Sequence, residues 1–108
     1  MLEFPYPSPK LSPNKRLHWA VKAKAKKECR FQSKCVAMSH PPMREFKFTF
    51  HPPDRRKRDV DNVIASLKAL IDGLADAWGI DDSEFLITYP RKFAEPVKGG
   101  KIIIEQTK

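Results

Sequence analysis

The chain has 108 residues, 41% of them apolar, with a formal net charge of +8 and a pI near 9.7. That length suits a single domain, residues 1–108, with a core small enough that a second subunit would help to stabilise it. The basic balance points to an anionic partner, either nucleic acid or an acidic membrane face; no apolar run approaches the ~18 residues that a bilayer-spanning helix needs, and no membrane is expected among the partners.

The chain opens on Met1-Leu2-Glu3-Phe4-Pro5-Tyr6-Pro7, which has neither the basic n-region nor the long apolar core of a signal peptide. Four prolines, Pro5, Pro7, Pro9 and Pro13, make residues 2–14 an extended arm, with room for a short strand near Leu2–Phe4. Ser12-Pro13 is a cap followed by a proline at the first helical position. A helix is expected from about Asn14 to Val36, where Leu17, Val21, Ala25, Cys29 and Gln32 or Val36 keep helical spacing. Lys22, Lys24, Lys26, Lys27, Arg30 and Lys34 cover the rest of it. That rod is either a solvated basic face or a nucleic-acid-facing helix. Trp19 and Phe31 have the chemistry to stack on bases, but the expectation is that both lie in the core. Cys29 and Cys35 form no CxxC pair, and His18 and His40 stand at no zinc-like spacing to them. Two reduced thiols in a cytoplasmic protein are expected.

Ser39-His40-Pro41-Pro42 ends the helix. From Arg44 to His51 the chain alternates, with Phe46, Phe48 and Phe50 on one side and Lys47 and Thr49 on the other, as in a half-buried strand. Pro52-Pro53 stops it. The loop Asp54–Arg58 leads into a helix from Asp59 or Val60 to Trp78, whose apolar face is broad. At 1.5 Å per residue it would be ~28 Å long. Gly73 inside it is a mild cost, and Gly79 is a plausible residue to end it. Phe85 to Phe93 is expected to be a strand, residues 94–100 a loop, and Lys101 to Gln106 an interior strand. The order implies an α/β fold, a small mixed sheet of about four strands packed against two helices.

Charge is unevenly spread along this order. Residues 1–58 carry a balance of +11, residues 59–82 one of −5, and residues 83–108 one of +2. An acidic island in a basic frame suits a polyanion held beside a divalent cation, although both blocks can equally be solvated surface. Asp59 and Asp61 stand where the basic loop meets the second helix. Capping requires only one of them, and a second carboxylate at i+2 is in excess of that need. Asp81-Asp82 follow the helix, so they approach Asp59 and Asp61 only if the fold returns that turn to the helix start. Three converging carboxylates would need a cation among them. Magnesium, with its oxygen ligands and retained waters, would meet that need, while Arg55, Arg56, Lys57 and Arg58 held the flanking phosphates. Lys68, seven residues beyond Asp61, is either a substrate-orienting cation or a solvated one.

The run His51-Pro52-Pro53-Asp54-Arg55-Arg56-Lys57-Arg58-Asp59-Val60-Asp61-Asn62, the later Gly79-Ile80-Asp81-Asp82, and Lys98-Gly99-Gly100-Lys101-Ile102 before a terminal strand resemble RusA-type Holliday junction resolvases. The arm running into Ser12-Pro13-Asn14 resembles that family's N-terminal loop. The resemblance covers nearly the whole chain. It implies a homodimeric, magnesium-dependent endonuclease, with manganese as a possible substitute. Such an enzyme nicks four-way DNA junctions symmetrically in the cytoplasm of a bacterium or a phage host. The family's essential aspartates fall on Asp59, Asp61 and Asp82, with Asp81 the less favoured of its pair. DNA contacts fall on Arg55–Arg58, on Asn14, Lys15 and Arg16, and on Lys98. The family's lysine, three residues after the DxDN asparagine, is here Ala65, and Lys68 is the candidate substitute. Two other readings compete: a non-catalytic DNA- or RNA-binding module whose aspartates only cap a helix, and a metal nuclease of another specificity.

Overall fold

The computed structural model describes residues 1–12, 16 and 18–107. Its strands are β1 (Leu2–Pro5), β2 (Glu45–His51), β3 (Leu86–Thr88) and β4 (Lys101–Gln106), and its α-helices are α1 (Trp19–Ala37), α2 (Val60–Ala65) and α3 (Lys68–Trp78). The sheet order is β1-β4-β2-β3. β4 pairs antiparallel with both β1 and β2, whereas β3 runs parallel to β2. The mixed four-stranded α/β sheet is therefore as expected, and the Lys101–Gln106 strand is interior.

The alternation in β2 sorts its residues as its pattern requires. Phe46, Phe48 and Phe50 are buried and Lys47 is exposed. Phe48 lies opposite Ile104 and Phe50 opposite Ile102, and Leu2 and Phe4 extend the same inner face through β1. Leu67, Leu70, Leu74 and Trp78 fill the core from α3 and the turn before it. Trp78 meets Phe46 and Phe85 edge-on, and its indole N–H donates to the carbonyls of Ala37 and His40. β2, the two helices after it, and β3 form a βαβ unit, because parallel neighbours need such a crossover.

Three elements differ from the sequence expectation. The first helix begins at Trp19, with His18 accepting from the Ala20 amide, so Ser12 is not its cap. Ser12 instead closes a 3-10 turn over Pro9–Leu11 that Ser8 caps. Pro13, Asn14, Lys15 and Leu17 lie outside the described residues. The second helix is broken, which gives three α-helices among the described residues rather than two. Ser66 and Leu67 have ψ of −4° and −3°, and their amides donate to Val63 and Ile64 in a tightened turn. The Ser66 hydroxyl donates to the Asn62 carbonyl, a back-bond that competes with regular helix and bends it. The Phe85–Phe93 strand shrinks to Leu86–Thr88, because Pro90 lacks a ladder donor. Gly79 does end the helix, at φ 63°, its amide bonded to Ala75.

Candidate functional site

A cleft of about 1160 Å³ forms where the two parallel strands end. β2 leaves the sheet at His51 into the basic loop, and β3 leaves it at Thr88 into Tyr89-Pro90-Arg91. The carboxyl ends of parallel strands are the usual crevice for ligands in open α/β sheets. The cleft is lined by Lys57, Arg58, Asp59, Asp61 and Asn62 on one side and Tyr89, Pro90 and Arg91 on another. Tyr6 to Pro9 of the N-terminal arm close it.

Local chemistry sets the loop. Pro52 and Pro53 end β2, and Asp54 then folds the chain on itself. Its Oδ1 accepts from the Arg56 amide at 2.9 Å and from the Arg58 guanidinium at 2.7 Å. The same guanidinium donates to the carbonyls of Asp54 and Arg56. Arg58 is thus the loop's internal staple, only 17% exposed at its side chain. This holds the Asp54 carboxyl down at about 2, the Arg58 hydrogen bond being the largest cause and the Arg56 amide the next. Gly100, at φ 70°, backs this corner. A Cβ there would lie 2.9 Å from Tyr6 Cβ and 3.1 Å from both the His51 carbonyl and Pro53. The four expected phosphate contacts are therefore unequal. Arg58 is spent within the loop and Arg56 stands 3.6 Å from Asp54, while Arg55 and Lys57 are exposed without an ion pair among the described residues.

Asp59 caps α2 by accepting from the Asp61 amide at 2.9 Å through one carboxylate oxygen. Asp61 lies in the first turn, exposed, and both residues line the cleft. The two carboxylates at the strand-to-helix corner thus share one cleft with Lys57 and Arg91. Arg91 was not singled out in the sequence, nor were Tyr6 and Tyr89. The signal for Arg91 was a cation directly after a proline that ends a strand. The Tyr6 hydroxyl is buried with no hydrogen-bond partner among the described residues, and burial raises its pKa, with Arg58 opposing the rise and Asp54 adding to it. Tyr89 stacks flat on Phe48, centroids 5.6 Å apart, and burial raises its pKa also.

Asp82 is held elsewhere. Asp81 caps a 3-10 turn over Asp82–Glu84 by accepting from the Ser83 amide, and its pKa is lowered first by that bond. Asp82 accepts from Lys68 Nζ at 2.5 Å, and Lys68 also reaches Asp72 at 3.0 Å. The pairing with Asp82, and then that with Asp72, raises the Lys68 pKa. Neither Lys68 nor Asp82 lines the cleft. Among the described residues no three His, Cys, Asp or Glu side chains group closely enough for a metal ion. The expected gathering of Asp59, Asp61 and Asp82 is thus not seen. The reason lies in the topology: Asp82 precedes β3 while Asp59 follows β2, and in a parallel pair those are opposite ends. The turn returns to the start of α3, not of α2.

The remaining expected DNA contacts are scattered. Arg16 is exposed, Lys98 is exposed on the turn before β4 outside the cleft, and Asn14 and Lys15 lie outside the described residues. Cys29 and Cys35 are free thiols on α1, and burial raises the pKa of Cys29. No described helix is long and apolar enough to cross a membrane.

No family model matches the chain. It is 36% identical over 115 residues to an uncharacterized protein of Xylella fastidiosa (strain Temecula1 / ATCC 700964), an alignment that covers 98% of this chain and 74% of that protein. With that identity across almost its whole length, the chain belongs to the same family as the Xylella protein.

Proposed function

We propose that the chain is a magnesium-dependent endonuclease acting on branched DNA, the activity that its resemblance to RusA-type resolvases implies. One observation carries this reading: Asp59 and Asp61 share a large cleft with Lys57 and Arg91, two carboxylates set between cations that no acid neutralises among the described residues. Magnesium commonly takes one or two protein carboxylates and completes its shell with water and phosphate, so this pair fits it. When bound, the ion would activate water and neutralise charge on the phosphodiester. Asp59 offers the oxygen left over from capping, and Asp61 offers its carboxylate from the first turn of α2. Lys57 and Arg91 would hold the phosphates on either side of the scissile bond. Lys68, its raised pKa keeping it protonated, would act as a fixed charge that positions Asp82, not as a proton carrier. Paired nicks in the two strands would need two such clefts, and hence a dimer.

The test is cleavage of a synthetic four-way junction with and without magnesium. Paired nicks that vanish in Asp59→Asn and in Asp61→Asn are expected, and a nuclease unaffected by both substitutions would refute the assignment. Flap and single-stranded substrates in the same panel decide specificity. Light scattering at micromolar concentration should give twice the chain mass.

The second reading is a DNA- or RNA-binding module without catalysis. It is favoured by the cap that Asp59 does make and by the separation of Asp82 from the cleft. It expects salt-sensitive binding with no cleavage, and no rise in Tm on adding magnesium.

A further inference from the structure

Trp19 and Phe31 were expected in the core, yet they are 76% and 66% exposed, on a helix crowded with lysines. Ser33 and Ala37 are the buried residues of α1, and at 100° per residue Lys24 and Phe31 fall on the opposite side, with Lys27 on their flank. Trp19 and Phe31 are twelve residues apart on the rod, about 18 Å along its axis and about 120° apart around it, Trp19 standing free at the helix start in line with Ala37. Glu28 is the only acid in the helix, and Lys24, Lys26 and Lys27 make no ion pair among the described residues. A groove of about 500 Å³ between the N-terminal arm and α1, lined by Lys10 and Lys24, shares Tyr6, Pro7 and Ser8 with the acid-lined cleft.

We propose that the exposed surface of α1 is a second nucleic-acid surface, one that holds an unpaired strand winding a third of a turn around the helix, with bases stacked on Trp19 at its start and on Phe31 further along while its lysines hold the phosphates. Exposed rings among uncompensated lysines are what single-strand binding requires, since every base has a face to stack and every phosphate a charge to pair. The same face suits other partners poorly. An interfacial membrane helix needs its apolar residues collected on one side and its cations on the other. Here Lys24 and Lys27 stand beside Phe31, and the other side is packed on the protein. A second copy meeting this face symmetrically would set lysine against lysine. The shared arm lets one strand run from the cleft onto α1, but the surface does not depend on cleavage.

The experiment is tryptophan fluorescence of the full chain in EDTA, titrated with a short single-stranded oligothymidylate. Trp78 is 8% exposed and bonded in the core, so quenching reports Trp19. Quenching is expected in the native protein and in Asp59→Asn, and is lost in Trp19→Phe. Phe31→Ala should weaken binding roughly tenfold. Lys24→Ala and Lys27→Ala should each lower the log–log salt slope by about 0.7. Circular dichroism confirms that these exposed variants fold. Emission unmoved by the oligonucleotide, or an unchanged slope in both lysine variants, overturns the proposal. So does quenching by phosphatidylserine vesicles or by self-association in place of DNA. Loss of junction cleavage with the Trp19 quench intact would refute only the nuclease reading.

Discussion

Arg58 and Lys57 are adjacent cations with different work, and the difference is testable. Lys57→Ala should leave the fold alone and lower the salt slope of duplex binding by about 0.9, as expected for one lost phosphate contact. Arg58→Ala should instead loosen the loop, because its guanidinium holds one carboxylate and two carbonyls. Limited proteolysis at residues 54–58 would register that change. Asp54 has its pKa depressed from 3.8 to about 2 in the folded chain, chiefly by Arg58. Its contribution to stability is therefore complete above the ordinary carboxylate pKa and is lost as pH falls through about 2. An NMR titration of the Asp54 carboxyl should find no inflection near 3.8. Trp78→Phe would leave the Ala37 and His40 carbonyls without their indole donor and should cost about 1–3 kcal/mol in urea unfolding.

At the scale of elements, α1 and α3 decide how tightly the helical layer closes. Gly73 reads in sequence as a weakness in a helix, yet a Cβ there would lie 2.5 Å from the Arg30 carbonyl and 2.7 Å from Ser33 Cβ. The missing side chain is what lets the two helices touch, while Arg30 clamps them through Asp76 at 2.6 Å. Gly73→Ala should therefore destabilise by about 1–3 kcal/mol, despite raising helix propensity, as thermal unfolding would show. The break at Ser66–Leu67 sets Lys68 at the head of α3, where it meets both Asp72 and Asp82. These are exposed ion pairs, so Lys68→Ala should change stability by less than about 1 kcal/mol. Because neither Lys68 nor Asp82 lines the cleft, cleavage under the nuclease reading should also stay close to the native level. A large fall in kcat with stability kept would instead bring Lys68 into the catalytic centre.

For the molecule as a whole, one aromatic cluster joins both layers. Phe46 is fully buried and meets Phe48, Trp78 and Phe85. Phe46→Ala should cost about 3–5 kcal/mol, a large part of the stability of so short a chain, and should broaden or abolish cooperative unfolding. The charge segregation seen along the chain persists in space, but reorganised. Among the described residues, open cations gather on the loop, after β3 and along α1, while most of the acids are bound: Asp72, Asp76 and Asp82 to basic side chains, and Asp59 and Asp81 to backbone amides. Binding to nucleic acid should accordingly fall steeply with salt, and filter binding across a salt series measures it.

The sequence by itself determined the α/β class, the alternating strands, the helix stop at Gly79 and the pairing of Asp59 with Asp61 at one corner. These are local matters, governed by side-chain period, by glycine and proline chemistry, and by residues two positions apart. Only the tertiary structure decided that Arg58 turns inward, that Arg91 joins the cleft, that Trp19 and Phe31 stand in solvent, and that Asp82 pairs with Lys68 away from Asp59 and Asp61. Each of those depends on which segments the sheet brings together. Parallel pairing of β2 with β3 sets the end of one strand beside the end of the other, and leaves the turn before β3 at the far end of the pair.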